Sequence, residues 1–207
     1  MKTIAVASQK GGVGKSLLTR SLAVAALAEG RRAAILDADP QASVVKWSGR
    51  RPYPAPTVRP VGQGGLREAL TAYREAGADL VVIDTPPHAR PVVSLAAELA
   101  DVVIIPVKPF PDDLEAVGAT VEIIRAVGRP AGLVINAAPP KSAALTLARA
   151  ALATFGLPIC PVTIVERLSH PYAIAEGVTA GEREPSSKAA AEITGLWAWV
   201  RDTFILS

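Results

Sequence analysis

Six short apolar runs rich in β-branched residues recur along the chain: "TIAVAS" (3–8), "AAILDAD" (33–39), "LVVIDTP" (80–86), "VVIIPV" (102–107), "AGLVINA" (131–137) and "LPICPVTI" (157–164). Near-continuous apolar runs of this length read as strands buried on both faces, because a strand with one solvated face would alternate. Between them, apolar residues recur at helical spacing or give way to turn residues. Helices are predicted at about 15–29, 63–76, 91–100, 112–127, 142–155 and 186–204. The alternation predicts an α/β fold, a mainly parallel sheet covered by helices on both faces and joined by right-handed crossovers. "RRPYPAPTVRP" (50–60) packs four prolines into eleven positions and reads as an extended, polyproline-like connector.

Composition narrows the class. The chain has 207 residues, half of them hydrophobic, with only three each of Trp, Tyr and Phe. That suits small helices on a buried sheet and one core, so residues 1–207 are expected to form a single domain. No internal repeat is visible, and no run of about 18 apolar residues escapes a charge or proline, so no spanning helix is expected. Lys2 already begins a strand, which leaves no secretory signal, and Cys160 is the only cysteine. A disulfide within the chain and a cysteine-held metal or cluster are thereby excluded, and a cytoplasmic protein is expected. Net charge is +3, but residues 1–60 hold 10 Lys/Arg against 3 Asp/Glu, and the remainder 12 against 16. The basic excess is N-terminal, so polyanion binding is permitted there.

The chemistry begins at "SQKGGVGKS" (8–16), set between a predicted strand and a predicted helix. Gly11, Gly12 and Gly14 free the backbone around Val13 to point successive N–H groups at phosphate oxygens, and the helix beginning near Lys15 adds its positive end. Lys15 would reach the terminal phosphates and the Ser16 hydroxyl would ligate Mg²⁺. Gln9 stands where the ordinary phosphate loop has its first glycine, and a second lysine, Lys10, enters the loop. "ILDADPQ" places Asp37 and Asp39 at the carboxyl end of a strand, where open α/β sheets form their ligand crevice, and "LVVIDTPP" does the same for Asp84.

These residues resemble a known family. "KGGVGKS" is similar to the deviant Walker A motif of the ParA/MinD superfamily of P-loop ATPases, whose extra lysine sits where Lys10 sits. The resemblance implies a three-layer P-loop fold, ATP or ADP with Mg²⁺, and nucleotide contacts from Lys10 through Leu17. It also implies that Lys10 crosses to the nucleotide of a second subunit, making ATP the glue of a homodimer. Lysines 10 and 15 would otherwise repel each other across a short loop. By the same resemblance Asp39 orients the attacking water, Asp37 lies near the metal shell, and Asp84 is the Walker B carboxylate. Thr85, Pro86 and Pro87 would form a switch loop, Asn136 would contact adenine, and Pro161 would lie near the base. Asp113 occupies a usual acidic position, whereas Phe110 replaces a small polar residue.

Within the superfamily, "DADPQAS", "IDTPP", "EREPSSKAAAEITGLW" and the absence of room for a helix-turn-helix before the loop resemble short ParA-type partition ATPases. That branch implies an ATP dimer on nonspecific DNA, at the nucleoid, driven by a ParB-like centromere-binding protein to segregate a plasmid or chromosome. Arg167, Arg183 and Lys188 are the DNA-contact candidates. A MinD-like membrane ATPase is the rival, since Leu196, Trp197, Val200 and Phe204 recur at helical spacing. Arg201 is the only base in that tail and Asp202 cancels it, so core packing and no stable membrane association are expected. A ligase-type enzyme on the same scaffold is a third possibility. His88 and His170 read as surface residues, and Cys160 as a buried strand thiol.

Overall fold

The computed structural model describes residues 1–140 and 144–206. Six parallel strands, β1 (Lys2–Val6), β2 (Ala33–Asp37), β3 (Thr57–Pro60), β4 (Leu80–Asp84), β5 (Val102–Val107) and β6 (Ala131–Ile135), lie in the order β3-β2-β4-β1-β5-β6. The helices are α1 (Lys15–Ala28), α2 (Ser43–Ser48), α3 (Leu66–Glu75), α4 (Arg90–Leu99), α5 (Pro111–Val127), α6 (Ala144–Ala153), α7 (Ser169–Ala175), α8 (Ala180–Arg183) and α9 (Lys188–Val200). Strand alternation sorts the core into two layers. Ile4, Val6, Ile35, Val82 and Ile104 pack against Leu18 and Leu22 of α1, Trp47 of α2 and Leu196 and Trp197 of α9. Ala5, Leu36, Val81, Ile83 and Ile105 pack against Leu66, Val93, Val121 and Leu152 on the opposite face. The three-layer α/β expectation holds.

Local signals fix the helix ends. α5 starts on Pro111 with Asp112 and Asp113 in its first turn and stops at Gly128, which takes a left-handed φ of 71°. The Ser187 hydroxyl caps α9 by accepting the Ala190 N–H at 3.1 Å.

Two readings needed correction. "LPICPVTI" runs beside β6 but touches it only through isolated bridges at Ile159 and Val165. Pro158 and Pro161 have no N–H to donate, so the ladder cannot become continuous. Conversely, the proline-rich connector ends in a true strand, because β3 is an edge strand that needs bonds only toward β2. The helix predicted over 142–155 is observed from Ala144 to Ala153, and positions 142 and 143 lie outside the described residues. The tail packs inward: Leu196, Trp197 and Val200 are buried, and Trp199 meets Phe204 edge-on at 5.4 Å over Gly132. Among the described residues no helix is long and apolar enough to cross a membrane.

Cys160 is fully buried, and burial pushes its thiol up to about 11. Only about one thiol in a thousand is then ionised at pH 8. The folded protein should therefore react with a disulfide reagent far more slowly at pH 8 than the urea-unfolded chain; equal rates would mean that the segment opens readily.

Candidate functional site

The glycine-rich loop leaves β1 and closes into α1 at Gly14, whose φ is 91°. No other residue fits there, since a Cβ on Gly14 would lie 2.0 Å from Asn136 Nδ2. Three bonds pin the loop from outside. The Gln9 N–H donates to Thr120 Oγ1 of α5 at 3.0 Å, the Gln9 carbonyl accepts the His88 N–H at 3.0 Å, and Asn136 Nδ2 donates to the Val13 carbonyl at 2.7 Å. Lys15 lies inside this frame, its Nζ donating to the Lys10 carbonyl at 3.2 Å. Burial lowers the Lys15 pKa, and the negative charges of Asp84 and Asp39 oppose the shift.

The carboxylates stand on adjacent strand ends, with Asp37 and Asp84 in register between β2 and β4. Asp84 is fully buried and accepts Ser16 Oγ–H at 2.7 Å and Thr19 Oγ1–H at 3.0 Å. Burial pushes its carboxyl up to about 7, and the facing charge of Asp37 adds to this while the two hydroxyl bonds oppose it. Ser16 and Thr19 share one helical face, three residues apart, and that spacing was the available signal for Thr19. Asp37 is largely occupied with backbone: Oδ2 accepts the Val44 and Val45 N–H groups at 3.0 Å each, and Oδ1 accepts that of Asp39 at 3.2 Å. It caps α2 and so holds the turn that carries Asp39. Asp39 Oδ1 accepts the Gln41 N–H at 2.9 Å, and Asp39 borders a cavity of about 680 Å³ with Pro86, Pro87 and Ala89 of the switch segment. Thr85 is turned away, its hydroxyl donating to the Val6 carbonyl at 2.9 Å.

Hard oxygen donors of this kind fit Mg²⁺, which takes one or two carboxylates and leaves its other positions to water and phosphate. Among the described residues no group of three or more His, Cys, Asp or Glu side chains could form an all-protein cage. A bound Mg²⁺ would supply positive charge beside the desolvated Asp84 and shield the phosphates, held from the protein side by Ser16 and Asp84.

Lys10 stands apart from the cradle. Its Nζ pairs with Asp113 Oδ1 at 3.3 Å, on the first turn of α5, with a third of its side chain exposed. Phe110, which begins that turn, is 41% exposed.

A pocket of about 350 Å³ extends from Gly12, Gly14 and Leu17 past Asn136 to Ile164–Leu168, His170 and Pro171. Pro161 is exposed and does not line it; its carbonyl instead accepts a bond from Arg149. Asn136 does line it, with Nδ2 committed to the loop and Oδ1 accepting no bond from the described residues. Lys108, Glu166 and His170 also border the pocket and carried no signal in the sequence, since the loops that bring them there are distant in the chain. His170 is buried, against expectation, whereas His88 is exposed as expected. Of the DNA-contact candidates, Arg167 is paired with Glu192 at 2.5 Å and Arg183 with Glu176 at 3.1 Å. Lys188 is exposed and, among the described residues, has no ion-pair partner.

Comparison with known proteins follows the same lines. The family described as the CobQ/CobB/MinD/ParA nucleotide binding domain matches residues 4–179. Maintenance of carboxysome distribution protein A of Halothiobacillus neapolitanus is 28% identical over 198 residues, covering 92% of this chain and 91% of that protein. The protein of the same name from Gloeobacter kilaueensis is 35% identical over 185 residues, covering 86% and 83%. Among solved structures, the MinD cell division protein of Aquifex aeolicus superposes with a TM-score of 0.79 at 15% identity over 98% of both chains, a likeness of fold. The chain belongs to the CobQ/CobB/MinD/ParA nucleotide-binding domain family, within the ParA/MinD superfamily of P-loop ATPases.

Proposed function

We propose that this ParA/MinD-family ATPase, which works on ATP and ADP with Mg²⁺, is a cargo-positioning ATPase of the partition type. Two subunits sandwich two nucleotides, bind nonspecific DNA over the nucleoid in that state, and hydrolyse slowly until a partner protein on the cargo stimulates them. The observation that carries the reading is the division of labour between the lysines. Lys15 is folded into its own loop, while Lys10 is turned outward onto Asp113 and remains one-third exposed. An ammonium in that position can exchange Asp113 for the nucleotide phosphates of a second subunit, where charge-assisted bonds to a polyanion are stronger.

In hydrolysis, water attacks the γ-phosphate in line. Lys15, Lys10 of the partner subunit and the loop N–H groups stabilise the charge that develops, and Asp39 orients the water. The likeness to carboxysome distribution proteins supports a protein-bodied cargo as readily as a plasmid or chromosome, and the partner then need not be a ParB-like centromere-binding protein. A MinD-like membrane anchor has no support from the tail, whose apolar residues are packed in the core.

The reading is tested by fluorescence polarisation of an unrelated DNA duplex with Asp39→Ala protein, under no nucleotide, ADP, or ATP with Mg²⁺, over a salt series. Binding should occur only with ATP and weaken steeply as salt rises. ATP-dependent binding to anionic liposomes without DNA binding would replace it with the membrane reading.

A further inference from the structure

His170 is only 6% exposed and lies in the wall of the 350 Å³ pocket, beside Leu17 and Pro171. The same ring borders a small internal cavity with Arg20, Ser21 and Ile174, where α7 packs on α1. Nε2 is sealed from solvent with no hydrogen-bond partner, and no described group bonds the other ring nitrogen. A core histidine is ordinarily satisfied by the protein, because an unpaired buried polar group is costly. The position itself asks only for an apolar residue: His170 and Ala173 form the inward side of α7, while Leu168 and Tyr172 flank them on the exposed side.

The glycine loop fixes the phosphates at the Gly12–Ser16 end, so the length of pocket toward Ile164–Pro171 is where the sugar and base must lie. Burial holds the imidazole below its ordinary pKa, with Glu192 and Arg167 acting in opposite directions, so the ring is neutral near pH 7. A neutral imidazole carries one N–H donor and one lone-pair acceptor, which matches the mixed donors and acceptors of a purine edge.

We propose that His170 is a specificity-determining residue that hydrogen-bonds the nucleobase, opposite the free Oδ1 of Asn136, so that affinity for ATP exceeds what the phosphate loop alone provides. This rests on the nucleotide occupying the pocket as the family reading requires. It extends that reading to a residue on α7 that the phosphate-loop motif does not include.

Calorimetric titration with ATP and, separately, with inorganic tripolyphosphate, both with Mg²⁺, separates base from phosphate binding. His170→Leu keeps the apolar bulk and removes both nitrogens; His170→Gln restores a donor and an acceptor. His170→Leu should weaken ATP about tenfold and leave tripolyphosphate within about twofold, and His170→Gln should recover part of the loss. Unchanged ATP affinity in His170→Leu would overturn the assignment. So would equal weakening of both ligands, or a loss that glutamine does not relieve while the melting temperature tracks it, since these mark a packing role. Failure of the wild-type chain to bind ATP at all would instead remove the nucleotide reading beneath it.

Discussion

Replacing Lys15 with alanine abolishes ATP turnover and weakens nucleotide binding by at least about a hundredfold, whereas Lys10→Ala keeps ADP binding within a few-fold and loses turnover about as completely. The asymmetry follows from where each ammonium sits. Lys15 is enclosed by its own loop, desolvated, and near Asp84 and Asp39, so removing it takes away the cation that a single subunit offers its own phosphates. Lys10 contributes nothing to that cradle, being engaged with Asp113. Calorimetry with ADP and a phosphate-release assay, run on both variants, give the comparison. Equal loss of nucleotide binding in the two would mean that both lysines serve one subunit.

Asp39→Ala lowers kcat about 10²- to 10⁴-fold, the usual range for removing a positioned acid–base group, while ATP binding persists. Its carboxylate makes one local bond, to the Gln41 N–H, and otherwise faces the large cavity beside the switch segment. The turn that carries it is held mainly by Asp37, so the variant keeps its fold and its site. Asp37→Ala, by contrast, releases the cap of α2 and should cost both turnover and melting temperature. Single-turnover hydrolysis and thermal melts separate the two; a matching fall in melting temperature for Asp39→Ala would assign it a structural role.

The sheet was legible because five of its strands are fully buried and therefore apolar without interruption. β3 was not, since an edge strand tolerates the prolines and the arginine that argue against a central one. "LPICPVTI" was over-read for the opposite reason: its apolar content is that of a strand, but two prolines withhold the donors. α2, α7 and α8 are too short for a 3.6-residue period to register. In the site, the loop and the three aspartates were legible because each lies in a contiguous motif. The bonds that position them join residues far apart in the chain, and no local pattern announces Asn136 Nδ2 on the Val13 carbonyl, Thr120 under Gln9, or Asp37 as a helix cap. The burial of His170 depends on how α7 packs on α1, which sequence spacing alone does not determine.

The central claim is that nucleotide joins two subunits through Lys10. Multi-angle light scattering of Asp39→Ala protein in ADP and in ATP, each with Mg²⁺, tests it directly, alongside the Lys10→Ala, Asp39→Ala double variant. The account predicts a monomer in ADP, a dimer in ATP, and a double variant that binds ATP yet stays monomeric. The same mass in both nucleotides, or an ATP dimer that survives loss of Lys10, would contradict it.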